Sequence, residues 1–96
     1  MAQVLEFLQQ NRDVVLGAVR RHRGLSAAVF GSVARGDDGA ASDIDILVEF
    51  DNGSSLFDLL HLQQELEELL GRRVDVVSIA ALKSRDSHIR AEAVAL

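Results

Sequence analysis

The spacing of apolar and polar positions divides the chain into segments of alternating period. Over residues 3–22, Val4, Leu5, Leu8, Val15, Leu16 and Val19 recur at helical spacing and predict one continuous helix. Arg20, Arg21, His22 and Arg23 sit at its negative C-terminal end as a solvated basic cluster, with Gly24 as the stop. Residues 26–30 read as a strand, residues 32–35 as a short helix ending at Gly36, and residues 37–42 as a polar loop in which Asp37 and Asp38 are turn residues. Along 43–50 the period becomes two: Ile44, Ile46, Val48 and Phe50 face the core, and Asp43, Asp45, Leu47 and Glu49 face the other way.

After a turn at Asp51, Ser55 and Asp58 form a capping box for a helix running to Leu70, with Gly71 as its end. Leu59, Leu62, Leu66 and Leu69 supply the buried stripe of that helix, and Glu65, Glu67 and Glu68 its solvated side. His61 is read as a boundary or packing residue rather than a ligand. Residues 72–78 form a further apolar strand interrupted by Asp75, residues 80–83 a helical turn, and residues 86–94 a short terminal helix carrying Ile89, Ala93 and Val94. Arg85, His88 and Arg90 read as part of its solvated face. The order of elements predicts a small α/β domain: a mixed sheet of three or four strands with flanking helices, residues 1–96 forming one domain.

Composition narrows the function. A chain of 96 residues buries only about 60 to 65% of its unfolded surface, so little of its core is spare. No run approaches the roughly 18 apolar residues that span a bilayer, and the first residues lack the basic and apolar regions of a secretory signal. With no cysteine, the expected place is the cytoplasm, and thiol catalysis and zinc-thiolate sites are excluded. The net charge of −5 and four scattered Phe disfavour a nucleic-acid polymer as substrate, which needs surplus Lys and Arg and stacking aromatics. Tyr is absent, so the chain cannot be its own acceptor through a tyrosine hydroxyl.

The chemistry concentrates between residues 30 and 45. Gly31 permits a tight turn with close approach of an anion, and Ser32 adds a hydroxyl and a helix cap. Ten residues on, Asp43 and Asp45 share one face of a strand, roughly 7 Å apart at Cα, and can share a cation. An anion-binding turn beside paired carboxylates suits a magnesium-bound nucleoside triphosphate. Arg35 is either a surface charge or a triphosphate contact. Asp75 lies between Val74 and Val76, where an uncompensated buried carboxylate costs several kcal/mol, so it is a natural third ligand. The other reading pairs Asp75 with Arg72 or Arg73, or leaves it on an exposed edge.

Gly31-Ser32, ten residues, then Asp43-Ile44-Asp45, with Ala34-Arg35-Gly36 and Ser42 between, resembles the signature of the DNA polymerase beta-like nucleotidyltransferases, in particular the minimal nucleotidyltransferases. The likeness continues through Ser55-Leu56-Phe57-Asp58 and Arg73 to Val77. It implies the small fold of that family, catalysis and metal binding by Asp43, Asp45 and Asp75, and nucleotide binding by Gly31, Ser32, Arg35 and Ser42. It also implies ATP as donor, two Mg²⁺ ions, and a HEPN-domain toxin as protein partner, adenylylated on a tyrosine and held in a hetero-oligomer. Two other readings are open: an antitoxin that masks its toxin without catalysis, and a transferase acting on a small molecule.

Overall fold

The computed structural model describes residues 3–36 and 43–96. Helices α1 (Gln3–Gln10) and α2 (Arg12–Arg21) lead to strand β1 (Gly24–Phe30), the short helix α3 (Gly31–Arg35) and strand β2 (Ile44–Phe50). Helix α4 (Leu56–Leu70) then crosses to strand β3 (Val74–Ser78). Two single turns, Ile79–Ala81 and Ser84–Asp86, precede helix α5 (Ser87–Glu92) and strand β4 (Val94–Ala95). The four strands form one mixed sheet in the order β3-β2-β1-β4. β2 is parallel to β3, as the helical crossover requires, and β1 is antiparallel to both β2 and β4.

The core lies between the sheet and helices α1, α2 and α4. Ile44, Ile46 and Val48 are fully buried, as the period of two predicts, and meet Leu62 and Leu66 of α4, Val15 and Val19 of α2, and Leu8 of α1. Phe50, the last of that series, is only partly buried, while Leu47 on the opposite side of β2 is buried. Beyond β3 the chain returns across the sheet, its Ile79–Ala81 turn against β2 and α5 against α3 and β1.

Several boundaries differ from the sequence expectation, each for a local reason. The predicted helix over 3–22 is two helices, broken at Asn11, whose backbone leaves the helical region (φ −106°, ψ 21°) and whose side-chain amide shares the Phe7 carbonyl, at 2.8 Å, with its own backbone N–H. Its end is set by Arg23, which adopts a left-handed φ of 67° and is held by Asp51. Gly24 is already in β1, where a side chain would collide with Val19. In α4 the stripe turns to Leu70 rather than Leu69, which is 45% exposed. With about 3.6 residues per turn, Leu70 lies closer to Leu66 around the helix than Leu69 does. The expected capping box is present, Ser55 N–H donating to the Asp58 carboxylate at 2.8 Å.

The acidic side of α4 is partly structural. Val74 and Val76 N–H, on the outer edge of β3, donate to Glu67 and Gln63 at 3.1 Å each. Helix α4 thereby covers backbone donors that an edge strand would otherwise leave unpaired. Glu65 reaches α2, accepting from Arg21 and lying 2.8 Å from the His22 ring. The basic cluster is solvent-exposed as expected at Arg20, Arg21 and Arg23, and Arg21 with the half-buried His22 also joins two helices. His61 is exposed, its ring 6.4 Å from those of His22 and Phe57.

The bonds from Arg21 and His22 hold the Glu65 carboxyl below its ordinary pKa. Glu65 therefore contributes stability that is complete above the unfolded-state value of about 4.3 and is lost as pH falls through the lower folded-state value. Glu65→Gln is expected to lower Tm at pH 7. That difference from wild type is expected to shrink as pH falls below about 4 in a thermal-melt series.

The terminal segment corrects the largest topological expectation. In place of a helix over 86–94, α5 ends at Glu92 and Val94–Ala95 pair with Val29 and Ala28 as a fourth strand.

Candidate active site

Three strands bring the site together at one end of the sheet. Phe30 at the end of β1 pairs with Asp45 of β2, and Asp45 pairs in parallel register with Asp75 of β3. Neighbouring strands lie about 4.8 Å apart, so the two carboxylates stand side by side on one face. Asp43 precedes β2 and is exposed. Asp75 is exposed as well, while Val74 and Val76 bury the opposite face of β3. Its expected cost of burial within an apolar strand is therefore not incurred, and the strand register is what places it beside Asp45.

Gly31 turns the chain from β1 into α3 with a φ of 73°. A Cβ here would collide with the Asp45 carboxylate, so the glycine makes room for the aspartate. Val33 anchors α3 in the core, and the helix ends at Gly36. Ser32 is half-buried at this turn.

Electrostatics single out Asp45. Burial first, then the charges of Asp75 and Asp43, push its carboxyl above the ordinary range, against an opposing pull from Arg35. These carboxylates interact with one another, and a cation among them would offset that repulsion. Among the described residues, no three His, Asp or Glu side chains converge closely enough to form a ready metal-ligating cluster. As donors, however, the three hard carboxylates of Asp43, Asp45 and Asp75 fit a divalent ion such as Mg²⁺.

Arg35 is exposed in part and lies against Glu92 of α5, Nη1 donating to Oε1 at 3.2 Å and to Oε2 at 3.4 Å. Glu92 Oε1 also accepts the Gly31 N–H at 3.2 Å. Sequence reasoning missed Glu92, because nothing in a short polar helix marks one glutamate among its neighbours. The pairing of β4 with β1 is the signal that locates it. Ser42, Asp37 and Asp38 lie outside the described residues.

A Gly-Ser turn between strand and helix, an Asp-x-Asp pair on the next strand and an aspartate in register beyond it define a nucleotidyltransferase. The chain belongs to the nucleotidyltransferase domain family, whose match extends over residues 3–95. Among its relatives, MJ0435 of Methanocaldococcus jannaschii, a provisionally named protein adenylyltransferase, is 48% identical over 64 residues, 67% of this chain and 69% of that protein. Protein adenylyltransferase MntA of Thermococcus cleftensis is 50% identical over 56 residues, 58% of this chain and 57% of its own length. A provisionally named minimal nucleotidyltransferase superposes with a TM-score of 0.85 at 44% identity, covering 96% of this chain and 95% of that structure. The fold alone is shared with the complex of a tri-AMPylated Shewanella oneidensis HEPN toxin and its MNT antitoxin, TM-score 0.68 at 20% identity over 91% of this chain and 69% of that one. Among the described residues no helix is long and apolar enough to cross a membrane.

Proposed function

We propose that residues 1–96 act as a single magnesium-dependent protein adenylyltransferase domain that moves AMP from ATP to a tyrosine hydroxyl of a HEPN-domain toxin in the cytoplasm, and so serves as its antitoxin. The observation that carries this reading is the register of Asp45 with Asp75 beside a Gly31 that leaves space for the Asp45 carboxylate. The names of the adenylyltransferase relatives and the toxin complex of the same fold support the donor and the partner.

In this reading Asp43, Asp45 and Asp75 would hold Mg²⁺, which when bound neutralises charge on the triphosphate and on the developing transition state. Ser32, with Arg35 and Ser42, binds phosphate oxygens, and Gly31 contributes the room for the Asp45 carboxylate that its missing side chain permits. Asp75, exposed at the edge of the carboxylate row, would receive the proton of the acceptor hydroxyl in this reading. The acceptor oxygen bonds to the α-phosphorus, the bond from that phosphorus to the β-phosphate bridging oxygen breaks, and pyrophosphate leaves.

The test is coexpression of the chain with the protein encoded beside it, followed by intact-mass measurement of that protein. With wild type, the neighbour gains the mass of one or more adenylyl groups. The Asp43→Asn, Asp45→Asn variant leaves the mass unchanged. An unmodified neighbour held in a stable complex by the wild-type chain would replace this reading with neutralisation by masking.

A further inference from the structure

The last strand carries more than sheet closure. Ala95 pairs with Ala28 and Val94 with Val29, and Leu96 N–H donates to the Ala27 carbonyl at 3.0 Å. Glu92, the last residue of α5 and two before β4, thus comes beside Gly31, the residue that follows β1. The chain terminus is thereby used to deliver one carboxylate to the Gly-Ser turn, where it accepts both the Gly31 N–H and the Arg35 guanidinium. The Glu92 side chain is 27% exposed and that of Arg35 51%, so the pair lies at the surface with the carboxylate as its more shielded partner.

Glu92 has a competitor for Arg35. The Gly31 that donates to Glu92 also lies against the Asp45 carboxylate, so a second source of negative charge stands beside the turn that Arg35 ends. A long guanidinium side chain near carboxylates is attracted to them, and a carboxylate bonded to it biases where its charge sits. Glu92, bonded to both the Gly31 N–H and Arg35 Nη1, ties that guanidinium to the turn.

We propose that Glu92 is a positioning residue for the nucleotide: it restrains Arg35 beside the Gly31–Ser32 turn, turned toward the triphosphate and away from the Asp43, Asp45 and Asp75 carboxylates. The inference rests on the nucleotide-binding reading of the site. It assigns a binding task to the α5–β4 segment.

The test is calorimetric titration of MgATP into wild type, Glu92→Ala, Glu92→Gln, Arg35→Ala and the Glu92→Ala, Arg35→Ala pair, with a thermal melt of each. Glu92→Ala is expected to weaken MgATP binding about tenfold, the scale of one charge-assisted hydrogen bond. Glu92→Gln, which keeps an oxygen for the Gly31 N–H but loses the charge facing Arg35, is expected to weaken it several-fold and to carry the test if the alanine variant is poorly folded. In the Arg35→Ala background, Glu92→Ala is expected to change affinity less than about twofold, because its effect passes through the arginine. Unchanged or tighter binding in Glu92→Ala and Glu92→Gln would overturn the proposal, tighter binding meaning that the carboxylate competes with the triphosphate. An equal loss with and without Arg35 would also overturn it, reducing Glu92 to a structural tether. Absence of MgATP binding by wild type would remove the nucleotide reading itself, whereas wild-type binding with unaltered variants removes the role of Glu92 alone.

Discussion

Asp45→Asn is expected to reduce adenylyl transfer at least about a thousandfold while leaving the domain as stable as wild type or more so. The two effects have one cause. Asp45 is half-buried, flanked by Asp75 in register and by Asp43 two residues before it, and its carboxyl is pushed above the ordinary range by burial and by both neighbours. A carboxyl raised on folding contributes stability below its unfolded-state pKa and loses it as pH rises through the folded-state value. At pH 7 without a cation its charge therefore opposes folding, and a neutral amide of the same shape removes the opposition. The amide also removes the charge that would hold the divalent ion of the proposed reaction. Melting curves at pH 7 are expected to show Asp45→Asn at or above wild type without Mg²⁺. Added Mg²⁺ is expected to raise Tm of wild type and to leave the variant nearly unmoved. Transfer measured with labelled ATP and purified acceptor gives the other half. Activity within tenfold of wild type, or a variant that melts far below it, would contradict the role assigned to Asp45.

How much of this was legible beforehand depended on whether a feature was local. The alternation of Ile44, Ile46 and Val48, the Ser55–Asp58 capping box and the left-handed Gly71 at the end of α4 are set by neighbours within a few residues, and all read directly from the chain. The same holds for the Gly-Ser turn and the Asp-x-Asp strand, whose identity lies in spacing. What failed depended on distant partners or on competition. Val94–Ala95 is too short to show a period, and it becomes a strand only because β1 offers an edge. The Asn11 break is a departure of one residue's backbone whose side chain shares a carbonyl with the ladder, which the apolar stripe on either side does not report. Asp75 was singled out for an energetic reason that the structure removes, since it points to the open side of β3; its register with Asp45 depends on how β3 aligns with β2. Glu92 was invisible for the same reason as β4: its meaning comes from the strand that follows it.

Gly31→Ala is expected to reduce transfer at least about a hundredfold and to destabilise the domain, and the two losses can be separated. A left-handed φ of 73° costs a residue with a side chain about 1 to 2 kcal/mol. The added methyl also meets the Asp45 carboxylate, which is carried on a central strand fixed on both sides. If Asp45 swings away from Gly31, it turns toward Asp75 in the neighbouring register position, where repulsion between the carboxylates grows. A displacement of about 1 Å in a group that positions the reacting phosphate is enough for a hundredfold loss. Gly71 supplies the control, for it has nearly the same backbone conformation, φ 67°, at the end of α4, yet a Cβ there meets no heavy atom within 4 Å. Gly71→Ala is therefore expected to lower Tm through backbone strain while transfer by the folded protein persists. Comparable loss of transfer in both variants, measured where each is fully folded, would show that strain alone accounts for the effect. Loss confined to Gly31→Ala would place it at the Asp45 carboxylate, because that contact is the difference between the two glycines.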